Sequence, residues 1–547
     1  MGARGKRLVS TALAALTMGL GQADAAAPAR DDFLAPLTHT CPAGRCGAPA
    51  SSIAMSPDGA SVYVAAVDRK HRGGVTAFSR NVERGTLTRV ECFREDGGSG
   101  CERPGEAETS RSTNVAVSPD GLLLALVSSR PPAPALLTIY RRDPQTGALT
   151  RAGCASNWPR TTGCAAAPHL GAARRVIFGP GGRLYVLADY YGDSKPSGLT
   201  VFDTDEAGAP VQTACVTEDG SDGDCSDGTG LADASDLAFS PDGTTLFVVG
   251  GTVGVAAYRS DLATGSLTQT GCLSAGGRAG ALGYQRACGA GFSEAGGIVA
   301  GAAGRMLVGT SRGVFDVALG TDGRPRVEGC YGLRRSHCDS AEHGMTHAGP
   351  ISSGAGGHVY VSAFLEVGGT VLFELAPTGE DRLHVTGCTG AYLLPTMALG
   401  CSIGTGDTTD LVASDDGEFV YAVRAGSSQG RADGYALAAG VPSPRATGRG
   451  ATRSVRVRCS SGRRACRGVV DLRLASFRRK NGGKVWKTGP PLGTAPFDLG
   501  AHRSARVVIR LRPAARRALS GAQHRAIATV SDATGLTGPT VAGLVLR

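Results

Sequence analysis

Eight ionisable side chains stand at matched places in this sequence: Arg111, Arg175, Asp233, Asp236, Glu294, His347, Asp407 and Asp410. Arg111, Asp233, Glu294, His347 and Asp407 each precede a recurring four-residue turn signature by seven positions. Arg175, Asp236 and Asp410 precede it by four, as do Ser52 and Asn114. If the copies are set in a ring, these residues fall in the loops that enter the innermost strands and line one mouth of a central funnel. The five carboxylates would offer hard oxygen ligands to a cation such as calcium. Arg111, Arg175 and His347 would hold an anion or move a proton. The competing reading is structural, since polar side chains at such places also cap strand ends and satisfy loop amides.

Two other groups invite a metal reading. His343 and His347 are four apart, a spacing that puts both on one face of a helix, but Gly344 and the repeat register place them in a loop, and no Glu follows His343. Glu218 to Asp227 is acidic and glycine-rich, like a calcium loop, and also like an ordinary solvated loop. No G-x-S-x-G, no H-E-x-x-H and no phosphate-binding loop is present. Beyond a calcium option, no cofactor is expected.

The turn signature organises the chain. It reads Ser56-Pro57-Asp58-Gly59, Ser118-Pro119-Asp120-Gly121, Gly179-Pro180-Gly181-Gly182 and Ser240-Pro241-Asp242-Gly243, with weaker copies beginning at Gly301, Gly354 and Ser414. Steps of 62, 61, 61, 61, 53 and 60 residues separate them. Each copy spells four strands split by glycine turns, as in Asp236–Phe239, Thr245–Val249, Val255–Tyr258 and Leu267–Cys272. Repeated four-stranded antiparallel units are the blades of a β-propeller. The seventh copy lacks a fourth strand, and Leu37 to Cys41 near the N-terminus resembles one. The expected fold is therefore all-β: a seven-bladed β-propeller with velcro closure by the N-terminal strand, removing exposed sheet edges, followed by a small β-sandwich.

Sixteen cysteines form eight close pairs. Seven fall between a fourth strand and the next blade: Cys41/Cys46, Cys92/Cys101, Cys154/Cys164, Cys215/Cys225, Cys272/Cys288, Cys330/Cys338 and Cys388/Cys401. The eighth is Cys459/Cys466. Neighbour pairing into disulfides is expected, although spacing alone does not prove it. Zinc would need several pairs to converge, which sites spread around a ring do not do.

Residues 1–25 read as a secretory signal peptide, with Arg4, Lys6 and Arg7, an apolar run from Leu8 to Leu20, and Ala23-Asp24-Ala25. No later run is long and apolar enough to span a membrane. Residues 26–440 hold the repeats and residues 441–547 a separate module. The first carries 32 basic and 43 acidic residues, a net −11; the second carries 22 basic and 3 acidic, a net +19. Short alternating strands such as Val455–Cys459, Val470–Leu474 and Val507–Leu511 point to a β-sandwich. Its charge suits an anionic polymer, or else is the solvated outer face of a sheet. With one Trp, two Phe and no Tyr, the module has few platforms for stacking nucleic-acid bases.

Residues 33–440 resemble the bacterial lactonase-like seven-bladed β-propellers, related to YVTN-type repeats and 6-phosphogluconolactonase-like proteins. The matching motifs are Ser56-Pro57-Asp58-Gly59 with Val62-Tyr63-Val64, Val75-Thr76-Ala77-Phe78 with Gly85-Thr86-Leu87-Thr88, and Tyr140-Arg141-Arg142-Asp143 with Thr146-Gly147-Ala148-Leu149-Thr150. The C-terminal module is similar to immunoglobulin-like domains appended to secreted bacterial proteins. The resemblance implies a funnel-mouth site and, for some members, lactone hydrolysis. The expectation is a monomeric, secreted or envelope-associated bacterial binding or scaffold protein, with a protein, a carbohydrate or an envelope polymer as partner. The alternative is a lactonase-like hydrolase using the funnel.

Overall fold

The computed structural model describes residues 34–36 and most of 50–546. The longer stretches outside it are 1–33, 37–49, 104–111, 130–134, 190–196, 280–285, 333–344, 378–382, 390–406, 426–430 and 534–539, with shorter breaks in other loops. The signal-peptide residues, Arg111, His343, Cys41, Cys46, Cys338 and Cys401 thus lie outside the described residues.

Each turn signature joins the innermost strand of a sheet to the next strand outward. In the first sheet the order is Ala50–Met55, Ser61–Val67, Gly73–Arg80 and Leu87–Arg94. Six such meanders follow one another along the chain, and the seventh set is built from Asp407–Ala413, Phe419–Ala425 and Arg431–Leu437. Its fourth strand is Leu34–Pro36, paired antiparallel with Leu34 opposite Leu437 and Pro36 opposite Tyr435. The fold is a β-propeller closed by its N-terminal segment. The closing strand lies just before the expected Leu37 to Cys41, which falls outside the described residues.

Packing closes the ring as well. One apolar cluster joins each consecutive pair of sheets, from Tyr63, Val115 and Tyr140 between the first and second to Tyr360, Leu411 and Val420 between the sixth and seventh. The seventh meets the first through Phe419, Tyr421 and Val423 against Ile53, Val62 and Phe78. Buried aromatics supply most area per residue, and truncating one typically costs about 3–5 kcal/mol.

The turn is held by its own side chains. Ser56 Oγ donates to Asp58 Oδ1 at 2.5 Å, and that oxygen also accepts the Ala60 amide at 2.9 Å. Ser56 Oγ in turn accepts the Ser61 amide at 2.9 Å. Gly59 takes φ +67, where a Cβ would be strained.

Five disulfides are formed among fully described pairs: Cys92–Cys101, Cys154–Cys164, Cys215–Cys225, Cys272–Cys288 and Cys459–Cys466. Cys330 is also disulfide-bonded. Three of the bridged loops return as a short fifth strand parallel to the fourth, such as Ser226–Asp227 beside Val216 and Thr217. Such bridges mark an oxidising, extracellular or periplasmic setting. No described helix is long and apolar enough to cross a membrane.

Residues 439–546 form two sheets over one core. Ala439–Gly440, Thr452–Cys459 and Ser504–Arg510 make the smaller sheet. The larger holds Arg445–Ala446, Thr540–Leu546, His524–Asp532, Cys466–Lys480 and Gly483–Leu499, in that order across the sheet. Val455, Val457, Val470, Leu472, Ile509 and Leu544 meet between them. A helix at Pro513–Ala518 follows the smaller sheet. The strand Gly483–Leu499 has no counterpart in the sequence reading, because Pro490, Pro491 and Pro496 look like turn residues. It is an edge strand, the place where missing amide donors are tolerated.

Candidate functional site at the propeller axis

The innermost strands share a local irregularity that aims their side chains. Pairing with the second strand slips between Ala50 and Ser52, Ser112 and Asn114, Ala173 and Arg175, Ala234 and Asp236, Ala295 and Gly297, and Thr408 and Asp410. Such a bulge inserts one residue and turns the next side chain. Here the redirected position is the one four residues before each turn.

These side chains form a relay from sheet to sheet. Asp410 Oδ2 accepts the Ile53 amide of the first sheet at 3.1 Å and the Ser52 hydroxyl at 2.8 Å. Ser52 Oγ accepts Asn114 Nδ2 at 2.7 Å, and Asn114 Oδ1 accepts the Val176 amide of the third sheet at 2.9 Å. Asp236 Oδ2 accepts the Ile298 amide of the fifth sheet at 3.1 Å. Arg175 lacks an acceptor and breaks the pattern. It reaches Asp236 Oδ1 through Nε at 2.7 Å and Asp410 Oδ2 through Nη1 at 3.2 Å. One guanidinium thus links the third sheet to the fourth and, across the axis, to the seventh.

The electrostatics follow from burial. Asp236 and Asp410 are 6% and 5% exposed. Burial pushes the Asp236 carboxyl above its ordinary range, and the Arg175 charge only partly offsets this. Burial alone would lower Arg175, but the two carboxylates overcome it and hold the guanidinium firmly charged. Asp236 and Asp410 therefore hold a guanidinium and four backbone amides, those of Leu237, Ile298, Ile53 and Leu411. That arrangement can brace the ring and close the axis at this level.

Asp233 and Glu294 lie apart from this cluster. Both are exposed and take left-handed backbone, φ 57 and 58. Gly251 ties them together: its amide donates to Asp233 O at 3.2 Å, and its carbonyl accepts the Glu294 amide at 2.9 Å. Asp189 pairs with Arg174 nearby, and burial first, with Asp233 adding, raises its carboxyl. The backbone of His347 lies in Met345–Ser353, at a register shift between Thr346 and Ala348, and that of Asp407 opens Asp407–Ala413.

Glu218, which begins the acidic loop, is buried and accepts the amides of Gly230, Leu231 and Ala232 at 3.2, 2.6 and 3.0 Å. His169 approaches Cys215 and Cys225 closely enough to suggest a metal trio, but both sulfurs are committed to a disulfide.

A second set of inter-sheet bonds was missed from sequence. Arg80 ends the third strand of the first sheet and reaches back to the seventh, donating from Nε to Tyr421 OH at 3.0 Å and from Nη2 to Asp416 Oδ2 at 2.7 Å. Arg142 does the same one sheet later, to Tyr63 OH at 3.0 Å and Asp58 Oδ2 at 2.7 Å. The signal was present, since each Arg stands 24 residues after its turn serine. Where the turn has no Asp, a residue just after it pairs within its own sheet: Arg183 with Asp203, Arg305 with Asp316, and His358 with Glu374.

The two modules meet through Arg464, carried on the Cys459–Cys466 loop. Its Nε donates to Glu418 Oε2 at 2.7 Å and its Nη1 to Glu83 O at 3.3 Å. The guanidinium lies 5.1 Å from the centre of the Phe419 ring. The contact sits where the first and seventh sheets close.

No family model matches the chain, and no curated protein matches it. Among solved structures it is similar to the periplasmic gluconolactonase of Pseudomonas aeruginosa, at 14% identity and TM-score 0.42 over 80% of this chain and 95% of that one. A putative 6-phosphogluconolactonase from Bacteroides uniformis gives 14% and 0.42 over 77% and 95%. Virginiamycin B lyase from Staphylococcus aureus gives 12% and 0.40 over 74% and 97%. At such identity the likeness is one of strand arrangement, which many activities share.

Proposed function

We propose that the chain is an exported bacterial binding or scaffold propeller of the lactonase-like, YVTN-type kind. Its basic, immunoglobulin-like C-terminal module holds it to the cell envelope or another polyanion. One observation carries the reading. The polar side chains that could have made a catalytic group at the axis, Ser52, Asn114, Arg175, Asp236 and Asp410, bond to one another and to backbone amides of neighbouring sheets. A reaction centre needs such groups aimed at a substrate. Recognition then belongs to the loops and to the module of opposite charge. The test uses the full chain. It should sediment with isolated cell envelopes at low salt, elute as salt rises, and turn over no member of a lactone panel. Lactone turnover abolished by Asp233→Ala would replace this reading with the hydrolase, and retention indifferent to salt would remove the electrostatic anchor.

A further inference from the structure

The smaller sheet of the C-terminal module has an outer face without a carboxylate. Its two long strands read TRSVRVRC and SARVVIR, and they pair antiparallel with Arg456 directly opposite Arg506. Thr452 faces Arg510 and Arg458 faces Ser504 in the same register. Arg456, Arg506 and Arg510 are exposed, while Val455, Val457, Val507 and Ile509 point into the core. The module's acids lie elsewhere: Asp471 pairs with Arg473 and Asp498 with Arg467, both on the larger sheet, and Asp532 is on a strand of that sheet too.

Like charges directly opposite on a sheet are destabilising, and an opposite-charge pair there would stabilise. A merely solvated face gains nothing from such a pair. An occupant bringing negative charge reverses the sign. Arginine is the dominant cation, 19 of the module's 22 basic residues, and its planar fork grips phosphate or carboxylate through two bonds. Arg456 and Arg458 are spaced along the strand by about 6.8 Å, and strands lie about 4.8 Å apart. This is a flat double row for an extended chain with charges at intervals. Val508 is the one exposed large apolar residue on these strands, so the face lacks the apolar side that seats a helix in a lipid interface and the aromatic rings that stack bases.

We infer that the outer face formed by Arg456, Arg458, Arg506 and Arg510 binds a linear carbohydrate polymer bearing phosphate or carboxylate groups. This rests on the anchoring role proposed above. Binding of the full chain to polygalacturonate and to poly(glycerol phosphate) is measured against salt, and the two arms separate carboxylate from phosphate. The wild type binds at least one. Arg456→Gln/Arg506→Gln weakens that binding about tenfold or more and lowers the slope of log affinity against log salt by about 1.4 for two lost contacts. Its thermal midpoint stays level or rises, which excludes misfolding. Arg467→Gln/Arg473→Gln removes equal charge from the other sheet and changes affinity less than twofold. Equal loss in both double variants overturns the assignment to this face. So does tighter binding to phosphatidylglycerol vesicles or duplex DNA than to either polymer. Envelope retention without binding to either polymer overturns this inference and leaves the anchoring reading standing; loss of both removes both.

Discussion

Arg175→Ala tests whether the axial cluster is a structural brace. The substitution removes the cation that bridges two buried carboxylates. Breaking a buried ion pair by deleting one partner costs about 3–5 kcal/mol. The Arg175 side chain is 26% exposed while those of Asp236 and Asp410 are 9% and 8%. Water can reach the gap in part, which places the expected loss near the lower end, about 3 kcal/mol. That equals roughly a hundredfold rise in the open population. Unfolding of two modules is not one transition, so hydrogen exchange is the better assay. The amides of Ile53 and Ile298 donate to the two aspartates, and that of Val176 to Asn114. Protection of peptides covering these three should fall together, while the sandwich strands around Val470 and Leu544 stay unchanged. Asp236→Asn/Asp410→Asn added to Arg175→Ala removes the uncompensated charge and should restore much of the protection. The reasoning fails if Arg175→Ala changes these amides less than threefold. It also fails if the added asparagines deepen the loss.

The two tethering arginines should differ. Arg80 faces Asp416, whose side chain is 9% exposed, whereas Arg142 faces Asp58, at 42%. Arg80→Ala should therefore lower stability by about 3 kcal/mol or more and Arg142→Ala by about 1–2 kcal/mol, read from hydrogen exchange of the strands around Tyr421 and Tyr63 in the two variants side by side. The response to acid has a defined sign. Burial raises the Asp58 and Asp416 carboxyls, but their serine and arginine partners outweigh it and hold both below the ordinary range. Their stabilisation is present above the usual carboxylate value of about 3.9 and is lost as pH falls through the lowered values. Asp236 runs the other way, because its raised carboxyl makes the ionised form costly and protonation relieves that cost. Melts from pH 6 to pH 3 should show Asp416→Asn flattening the acid limb, and a steeper limb in that variant would contradict the assignment.

Much of this architecture is written in short range. The Ser-Pro-Asp-Gly turn needs only four residues to close, so its spacing exposed the meanders and the register of the innermost strands. Neighbouring cysteines were legible for the same reason. What escaped depends on contacts far apart in sequence. Ser52 and Asp410 are 358 residues apart and Arg80 and Tyr421 are 341 apart, and both pairs meet only once the ring has closed. Alignment placed Arg175 at one repeat position with Ser52, Asn114, Asp236 and Asp410, as a group to hold an anion or move a proton; that it bridges two carboxylates follows only from the assembled ring. The bulge that aims it inward leaves no trace in residue types. The strand Gly483–Leu499 was hidden by its prolines, because edge position is a property of the assembled sheet.

The charge division has a consequence for where recognition lies. A module of net +19 beside a propeller of net −11 could simply have been built to stick to it. In that case the arginines of the smaller sheet would be spent on propeller carboxylates. The contact instead runs through Arg464, which is held on a disulfide loop and shared among Glu418, the Glu83 carbonyl and the Phe419 ring. Among the propeller's acids, Asp58 and Asp416 serve the turns and tethers, Asp236 and Asp410 the axis, and Glu218 a loop. Arg456, Arg506 and Arg510 stay exposed on a face with no acid of its own. Apart from the Arg464–Glu418 bridge, the ion pairs among the described residues lie within one module, and the smaller sheet keeps a row of arginines that no carboxylate of its own strands offsets. A field of that sign speeds encounter with anions and weakens as salt rises, so the salt dependence of attachment reads the surplus directly, whatever the propeller loops bind.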